Sequence, residues 1–332
     1  MILVTGATGH IGNVLVRQLL AMGKRVRALK LLGEDAASLR ELAVEVIEGD
    51  VLDRSSLHRA LEGVRHVYHL AGIISILPGV RQILDRVNVQ GTRNVIAACR
   101  ESGVERLVYT SSIHALVEAP LGTSIDERQP FDPARTMDDY GRSKAQASLA
   151  VMEAAREGLN AVIVCPTGVI GPYDFRQSEM SQVIKYYARR APKLYVEGAY
   201  NFVDVRDVAA GHILACEHGK TGESYILAGE RITVKRLLET VEELTGRHAP
   251  HVKVPLRLAR WAASFAPLYY RLTRTKPQFT AYALQTLGSN SEISAGKAQR
   301  ELGYRARALR DSLRDTLAWF SLSSRRAMAF VK

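Results

Sequence analysis

Met1-Ile2-Leu3-Val4-Thr5-Gly6-Ala7-Thr8-Gly9-His10-Ile11-Gly12 opens the chain, an apolar strand running into a glycine-spaced turn and then a helical pattern from Asn13 to Met22. This order predicts a dinucleotide site. Gly6 permits the tight turn, Gly9 lets backbone approach a pyrophosphate, and Gly12 lets the helix pack close to the strand with its N-terminal dipole facing the phosphates. With the strand starting at residue 2, no signal peptide is expected.

Outward from the turn, apolar β-branched runs at 2–5, 25–29, 44–48, 66–70, 105–110 and 161–165 alternate with helical patterns. Such alternation predicts an α/β fold with a doubly wound parallel sheet covered on both faces. Beyond Pro166 the pattern breaks into shorter pieces at Gly171-Pro172, Gly198, Gly219 to Gly222 and Gly229, so a second region is expected to pack against the first. No stretch approaches the roughly 18 uncharged apolar residues of a membrane span. Cys99, Cys165 and Cys216 lie far apart without metal-ligand spacing, which predicts free thiols in a reducing cytoplasm and no metal site.

The net charge of +11 sits entirely at the C-terminal end, where residues 253–332 hold 15 Lys/Arg against 4 Asp/Glu while residues 1–252 hold 30 of each. These cations interleave with Leu256, Leu258, Trp261, Phe265, Leu268 and Tyr269 at helical spacing. That is the pattern of amphipathic helices with solvated basic faces, and no nucleic-acid module accompanies it. Weak association with a membrane surface is the alternative reading of 255–276. For 255–289 as a whole, a helical lid over the substrate, an oligomer face and a packed helix pair broken at Pro267 and Pro277 stand open, with a partly exposed pocket wall favoured.

Three landmarks follow the glycine turn. Gly49-Asp50-Val51-Leu52-Asp53 comes after the third strand, where Asp50 is placed to accept from an adenine amine. The fourth strand ends in His69-Leu70-Ala71-Gly72, small residues that let backbone lie against a cofactor. The fifth ends in Tyr109-Thr110-Ser111-Ser112, and Tyr140 and Lys144 come 28 and 32 residues after Ser112. A free tyrosine, with a pKa of about 10, is a poor base at neutral pH. A lysine one helical turn away favours the phenolate and can hold ribose hydroxyls, and a serine at a strand end can orient the same substrate oxygen. Tyr140 is therefore the expected acid/base, Lys144 its tuner and Ser112 the orienting donor.

With these segments in order, the chain resembles an extended short-chain dehydrogenase/reductase of the NAD-dependent epimerase/dehydratase superfamily. It is most similar to the dihydroflavonol-reductase-like and 3β-hydroxysteroid-dehydrogenase-like branch. Thr5 to Gly12 matches the family's T-G-x-x-G-x-x-G, Asn88-Val89-Gln90-Gly91-Thr92 its N-V-x-G-T helix, and Ser112, Tyr140 and Lys144 its catalytic trio. Pro166 to Pro172 matches the segment that passes the nicotinamide, and Phe202 to Ala209 the strand-to-helix return. The resemblance implies a Rossmann-type domain over 1–165, rejoined by 200–218, and a smaller, mostly helical substrate-binding region from 166–199 and 219–332. It implies cofactor contacts at Gly6, Thr8, Gly9, His10, Ile11, Lys30, Asp50, Val51, Leu70, Ala71, Gly72, Asn88, Thr110, Tyr140, Lys144, Pro166, Gly168 and Val169. It also implies a homodimer through the helices holding Asn88 to Arg100 and Tyr140 to Ala155.

Two departures narrow the substrate. Relatives that act on sugar nucleotides carry an arginine two residues before the position of Phe202 and a late R-P-G-D-like segment, both serving the diphosphate. Here Tyr200 takes the first place and nothing like the second occurs between Thr280 and Ser294. The candidate lining is apolar instead: Ile73, Ile74, Ile76 and Leu77 after the fourth strand, and Tyr173, Phe175, Met180, Tyr186 and Tyr187 after the proline segment. His114 is the histidine best placed for substrate contact. The expected activity is hydride transfer between NAD(P) and a carbonyl or secondary alcohol of an apolar, non-nucleotide substrate. A sugar or sugar-nucleotide epimerase/dehydratase using the same trio and a non-catalytic NAD(P)-binding regulator are the alternatives. Lys30 before Leu31, with Glu34 and Asp35 only further along the loop, tilts the cofactor slightly to NADP over NAD.

Overall fold

The computed structural model describes residues 1–75, 79–189, 191–265, 284 and 287–329. In chain order, strands and helices alternate through the first half: β1 (Ile2–Thr5), α1 (His10–Ala21), β2 (Val26–Lys30), β3 (Glu45–Glu48), α2 (Arg54–Leu61), β4 (His66–His69), α3 (Arg81–Leu84), α4 (Gly91–Glu101), β5 (Arg106–Thr110), α5 (Asp139–Arg156) and β6 (Ala161–Pro166). All six expected strands are present. A π-helical turn, Asp85–Gln90, joins α3 to α4. The later elements are shorter: β7 (Gly168–Ile170), α6 (Glu179–Tyr187), β8 (Lys193–Tyr195), β9 (Ala199–Asp204), α7 (Val205–His218), β10 (Ser224–Leu227), β11 (Glu230–Thr233), α8 (Val234–Thr245), β12 (His251–Lys253), α9 (Leu256–Ser264), α10 (Gly296–Leu302) and α11 (Leu309–Ala329).

The main sheet runs β3-β2-β1-β4-β5-β6-β10 with every neighbouring pair parallel. Its strand order reverses between β1 and β4, the point at which an open α/β sheet forms a crevice beyond the carboxyl ends of its strands. Helices α1, α7 and α10 pack together on one face, and α2, α4 and α5 on the other. Covering both faces is what lets β6 read as one apolar run, Ala-Val-Ile-Val-Cys-Pro, with every residue buried. At the far edge, β3 is largely exposed and carries Glu45 and Glu48. All three cysteines are free and buried.

A second core lies beyond the sheet. Strands β11, β9 and β7 form a small sheet, with β9 antiparallel to β11 and parallel to β7, and β8 pairs with β12. Ile170, Phe202 and Ile232 from the three-stranded sheet meet Ile184 of α6, Leu237, Leu238 and Val241 of α8, and Leu313 and Phe320 of α11.

Two segments depart from the expected division of the chain. Ser224–Leu227, expected within the substrate-binding region, is the seventh strand of the main sheet, and α10 packs on α7 and β10. The physical reason is the outer edge of β6, which stays dry only when β10 pairs with it, burying Tyr225, Ile226 and Leu227 completely. The second region also carries more strand than expected. Of the basic segment, α9 exposes Leu258 and Trp261, while residues 266–283 lie outside the described residues, as do Ile76 and Leu77. Among the described residues no helix is long and apolar enough to cross a membrane.

The glycine turn is clamped from two sides. Gly6 has φ +69° and a Cβ there would lie 2.7 Å from the Ala71 nitrogen, while a Cβ on Gly12 would run into the Gly6 carbonyl oxygen. Gly23 has φ +71° but open space around it. Gly23→Ala should therefore cost only the left-handed penalty of about 1–2 kcal/mol, and Gly6→Ala that penalty plus a backbone clash. Urea unfolding checks this, and equal midpoints for the two variants would contradict it.

Candidate active site

Strands β1, β4 and β5 end side by side, and their last residues tie the loops that follow. Thr5 Oγ1 accepts from the backbone N–H groups of Leu70 and Ala71, each at 3.1 Å, and shares a hydrogen bond with His69 Nδ1 at 2.8 Å. His69 Nε2 meets Thr92 Oγ1 at 3.0 Å, and burial pushes the imidazole down to about 3, so His69 is a neutral packing group. Gly72 leaves an open surface beyond it, where a Cβ would sit 3.1 Å from Asn88 Oδ1 and 3.5 Å from Lys144 Nζ. Such a side-chain-free ledge at the strand ends, beside the glycine turn, fits the flat ring and ribose of a nicotinamide dinucleotide.

Asn88 sits in the π-helical turn and is buried. Its Oδ1 accepts from the Ile73 N–H at 2.8 Å, and its Nδ2 donates to the Ile73 carbonyl and to Ser143 Oγ, both at 3.0 Å. Asn88 thereby pins the loop after β4 to α5. Helix α5 begins where the Asp138 carboxylate accepts from the Gly141 N–H at 2.6 Å.

Tyr140 and Lys144 lie one turn apart on the buried face of α5. Burial pushes the Tyr140 phenol up to about 12, with neighbouring Ser112 opposing the rise. Lys144 Nζ donates to the Thr110 carbonyl at 2.7 Å and to Tyr109 Oη at 3.4 Å, and burial lowers the ammonium to about 8. The trio expected from spacing alone is thus brought together at the end of β5. Ser112 also caps the short turn Ile113–Ala115 by accepting from the His114 N–H at 3.2 Å. His114 is half-buried beside it, its imidazole pushed down by burial against the opposing charges of Asp138 and Glu118.

The remaining expected contacts divide. Gly9 caps α1, and His10 Nε2 bonds the Pro172 carbonyl at 2.9 Å, joining the glycine turn to the proline segment. Burial lowers the His10 imidazole. Ile11 packs half-buried on the main core. Asp50 Oδ1 is engaged by the Leu52 N–H at 2.9 Å, and the Val51 side chain is buried against Gly91. Thr110 turns its hydroxyl to His212 at 2.7 Å, so only its carbonyl faces the site. Pro166 and Gly168 carry the chain from β6 into β7, where Gly168 and Val169 are half-buried. Lys30 Nζ lies 2.6 Å from Glu48 on the sheet edge.

On the substrate side, Ile73 is half-buried and Ile74 exposed. The Tyr173 ring lies under the Arg17 guanidinium at 4.6 Å, and Phe175 meets Trp319 edge-on at 5.5 Å. Met180 and Tyr186 are half-buried and Tyr187 is buried, all three packed against the second core by the apolar face of α6. Tyr200 packs on Phe202 at 5.4 Å. On β11, where Ile232 stands opposite Tyr200, Arg231 donates to Ser291 Oγ at 2.9 Å and, with Lys235, lines a cavity of about 430 Å³.

One cluster was not anticipated. The Glu34 carboxylate accepts from Thr8 Oγ1 at 2.7 Å and from the Leu31 N–H at 3.0 Å, and it pairs with Arg176, whose Nη2 also donates to Thr8 Oγ1 at 2.7 Å. No local pattern links Glu34 to Arg176, which stand on loops far apart in the chain.

The NAD dependent epimerase/dehydratase family model matches residues 2–228, and the chain belongs to that family, among the extended short-chain dehydrogenase/reductases. It is similar to sterol demethylase protein B of Methylococcus capsulatus, 41% identical over 96% of this chain and 97% of that protein. It is also similar to the 3 beta-hydroxysteroid dehydrogenase/Delta 5-->4-isomerase of Mycobacterium tuberculosis, 28% identical over 91% of this chain and 85% of that one. Among solved structures it resembles the crystal structure of gox2253, with a TM-score of 0.84 and 35% identity over 98% of this chain and 99% of the other. The chain is an NAD(P)-dependent enzyme of this reductase and dehydrogenase type.

Burying Lys144 costs stability wherever the ammonium stays charged. The unfolded chain holds that proton to higher pH than the fold does, so the cost is complete below about pH 8 and is relieved as pH rises from there. Lys144→Met should therefore raise thermal stability at neutral pH, by up to about 3 kcal/mol, and the gain should shrink in alkaline buffer. Thermal melts at both pH values check this, and an equal loss of stability at both would contradict it.

Proposed function

We propose that the chain transfers a hydride between NAD and a carbonyl or secondary alcohol of a largely apolar, non-nucleotide substrate, with Tyr140 as the acid/base. The observation that carries this reading is the burial of Tyr140 and Lys144 on one face of α5, with Ser112 buried at the end of β5 and Lys144 beside the Gly72 ledge. When bound, the dinucleotide supplies the hydride. Ser112 holds the substrate oxygen, and Tyr140, whose raised pKa keeps it protonated, gives that oxygen its proton during reduction, while oxidation draws on the phenolate that the Lys144 cation favours. Lys144, anchored by the Thr110 carbonyl, presents a cation to the developing oxyanion and to ribose hydroxyls. Asn88 keeps the loop after β4 from covering the ledge.

An apolar substrate is supported by Tyr200, which fills with a ring packed on Phe202 the place where sugar-nucleotide relatives hold a cation, and by the names of the sterol and hydroxysteroid relatives. NAD is favoured because a carboxylate, Glu34, stands at the glycine turn where a ribose hydroxyl can donate to it. A polycyclic ketone or alcohol of sterol type is the class we would test first.

Assays of NADH oxidation against sterol-like ketones, beside nucleotide sugars scored for epimer formation, test the substrate class. Turnover of a nucleotide sugar with no net change in cofactor would contradict it. Tyr140→Phe should lower kcat by about 10³-fold while cofactor affinity holds. Reduction should also slow as pH rises through about 8, where Lys144 loses its proton, and a rate that climbs through that range would contradict the role of the cation.

The outward faces of α4 and α5 support the homodimer. They bound an open groove of about 530 Å³ lined by Asp85, Arg86, Arg93, Gln146, Leu149 and Glu153. Sedimentation should show a dimer that Leu149→Arg dissociates, and a wild-type monomer would contradict this arrangement.

A further inference from the structure

We propose that α9 docks the protein onto an anionic lipid surface, with Leu258, Trp261 and Phe265 entering the headgroup boundary and Arg257 and Arg260 meeting the lipid phosphates. The inference goes beyond the hydride-transfer reading and does not depend on it.

Helix α9 reads Leu-Arg-Leu-Ala-Arg-Trp-Ala-Ala-Ser. Phe265 continues its last turn by donating its N–H to the Ala262 carbonyl at 3.1 Å, so Leu258, Trp261 and Phe265 fall at i, i+3 and i+7 on one face. Their exposures are 54%, 64% and 51%, and the Trp261 and Phe265 rings meet edge-on at 5.2 Å. Ala259, turned away from that face, is buried with Val196 and Leu284 and seats the helix on the second region. A small residue therefore holds α9 in place while its large apolar side chains stand in water. Three such side chains on one helix face mark a contact surface. Just ahead of α9, Leu194 and Val252 are register partners on the β8–β12 ladder and are exposed as well.

Charge decides what covers this face. Residues 253–291 contain six Lys/Arg and no Asp/Glu. Arg257 and Arg260 are exposed and lie on one flank of the apolar face. Leu287, which packs on the cluster around Ala259, also lines the groove of Arg231 and Lys235, so two further exposed cations border the seat of α9. The carboxylate in that groove, Glu197, is paired with Lys253 at 2.6 Å. A second copy of this chain seated face to face would set arginine against arginine, which like-charge repulsion opposes. Aromatic rings flanked by arginines fit the boundary between acyl chains and anionic headgroups, where the rings are half-wet and each cation adds attraction. Since no described helix can cross a bilayer, the contact is with its surface.

The test sediments the full-length protein with vesicles of mixed phosphatidylglycerol and phosphatidylcholine, and with vesicles of phosphatidylcholine alone. Wild type should bind the mixed vesicles about tenfold or more tighter than the neutral ones and be released as salt rises. Its tryptophan emission should shift to the blue on the mixed vesicles, and Trp261→Ser, which keeps Trp319, should lose that shift. Trp261→Ser/Phe265→Ser and Arg257→Gln/Arg260→Gln should each weaken binding by about tenfold or more. Leu121→Ser, which removes an apolar side chain 75% exposed elsewhere on the surface, should bind as wild type does. Thermal melts confirm that each variant is folded. The proposal is overturned if wild type stays in the supernatant, if it binds neutral vesicles equally well, or if either double variant binds undiminished. It is also overturned if lipid-free sedimentation shows an oligomer that Trp261→Ser/Phe265→Ser takes apart, since a second copy would then cover the face.

Discussion

The closeness of α1 to the end of β1 governs everything that follows in this structure. Only a glycine at position 12 lets the helix rest on the Gly6 carbonyl, and only a glycine at position 6 lets the turn pass beneath Leu70 and Ala71. The approach brings a helix N-terminus to the strand ends and lays the end of β4 flat, with the Thr5 hydroxyl accepting from the Leu70 and Ala71 backbone N–H groups. Once β4 ends flat, Asn88 can hold the next loop against α5, and the ledge at Gly72 stays open beside Lys144. The site is in this sense a consequence of backbone packing made before any reactive group is placed.

The reactive groups are held at a cost to the fold. Burial raises the Tyr140 phenol and lowers the Lys144 ammonium, each in the direction that removes charge from a dry site. A lysine retained in such a place, fixed by one strand carbonyl, has no packing advantage over an apolar side chain. Its presence makes sense where a cation is needed next to an oxygen that gains charge. The histidines nearby follow the opposite logic. His69 and His212 are both fully buried, driven to low pKa and hydrogen-bonded to threonine hydroxyls, so they brace the strand ends as neutral rings.

Much of this was legible in the residues, for a physical reason in each case. The strands up to Pro166 announce themselves because a parallel strand covered on both faces must be a continuous apolar run, as β6 is. Strand β10 did not, since four residues between glycine-rich turns leave no period to read, and its place beside β6 depends on an edge formed far upstream. Ser112, Tyr140 and Lys144 were readable because helix periodicity and a strand end fix their relative positions. The aromatic and methionine residues of α6 were ambiguous, because a helix presents the same apolar face to a core as to a substrate. The Glu34–Arg176 pair was silent, since its members meet only when the loop after β7 folds back over the glycine turn, and nothing local in either stretch records that fold.

The account's central claim is that Tyr140 and its neighbours serve a net hydride transfer to an apolar substrate. Isotope transfer tests it most directly: NADH carrying deuterium at both hydrogen positions of the reactive nicotinamide carbon is turned over with a sterol-like ketone, and the product is analysed by mass spectrometry. The account predicts one deuterium on the new carbinol carbon, formed in step with NAD. Product without the label, or label passing only through nucleotide sugars while NADH is regenerated, would contradict it.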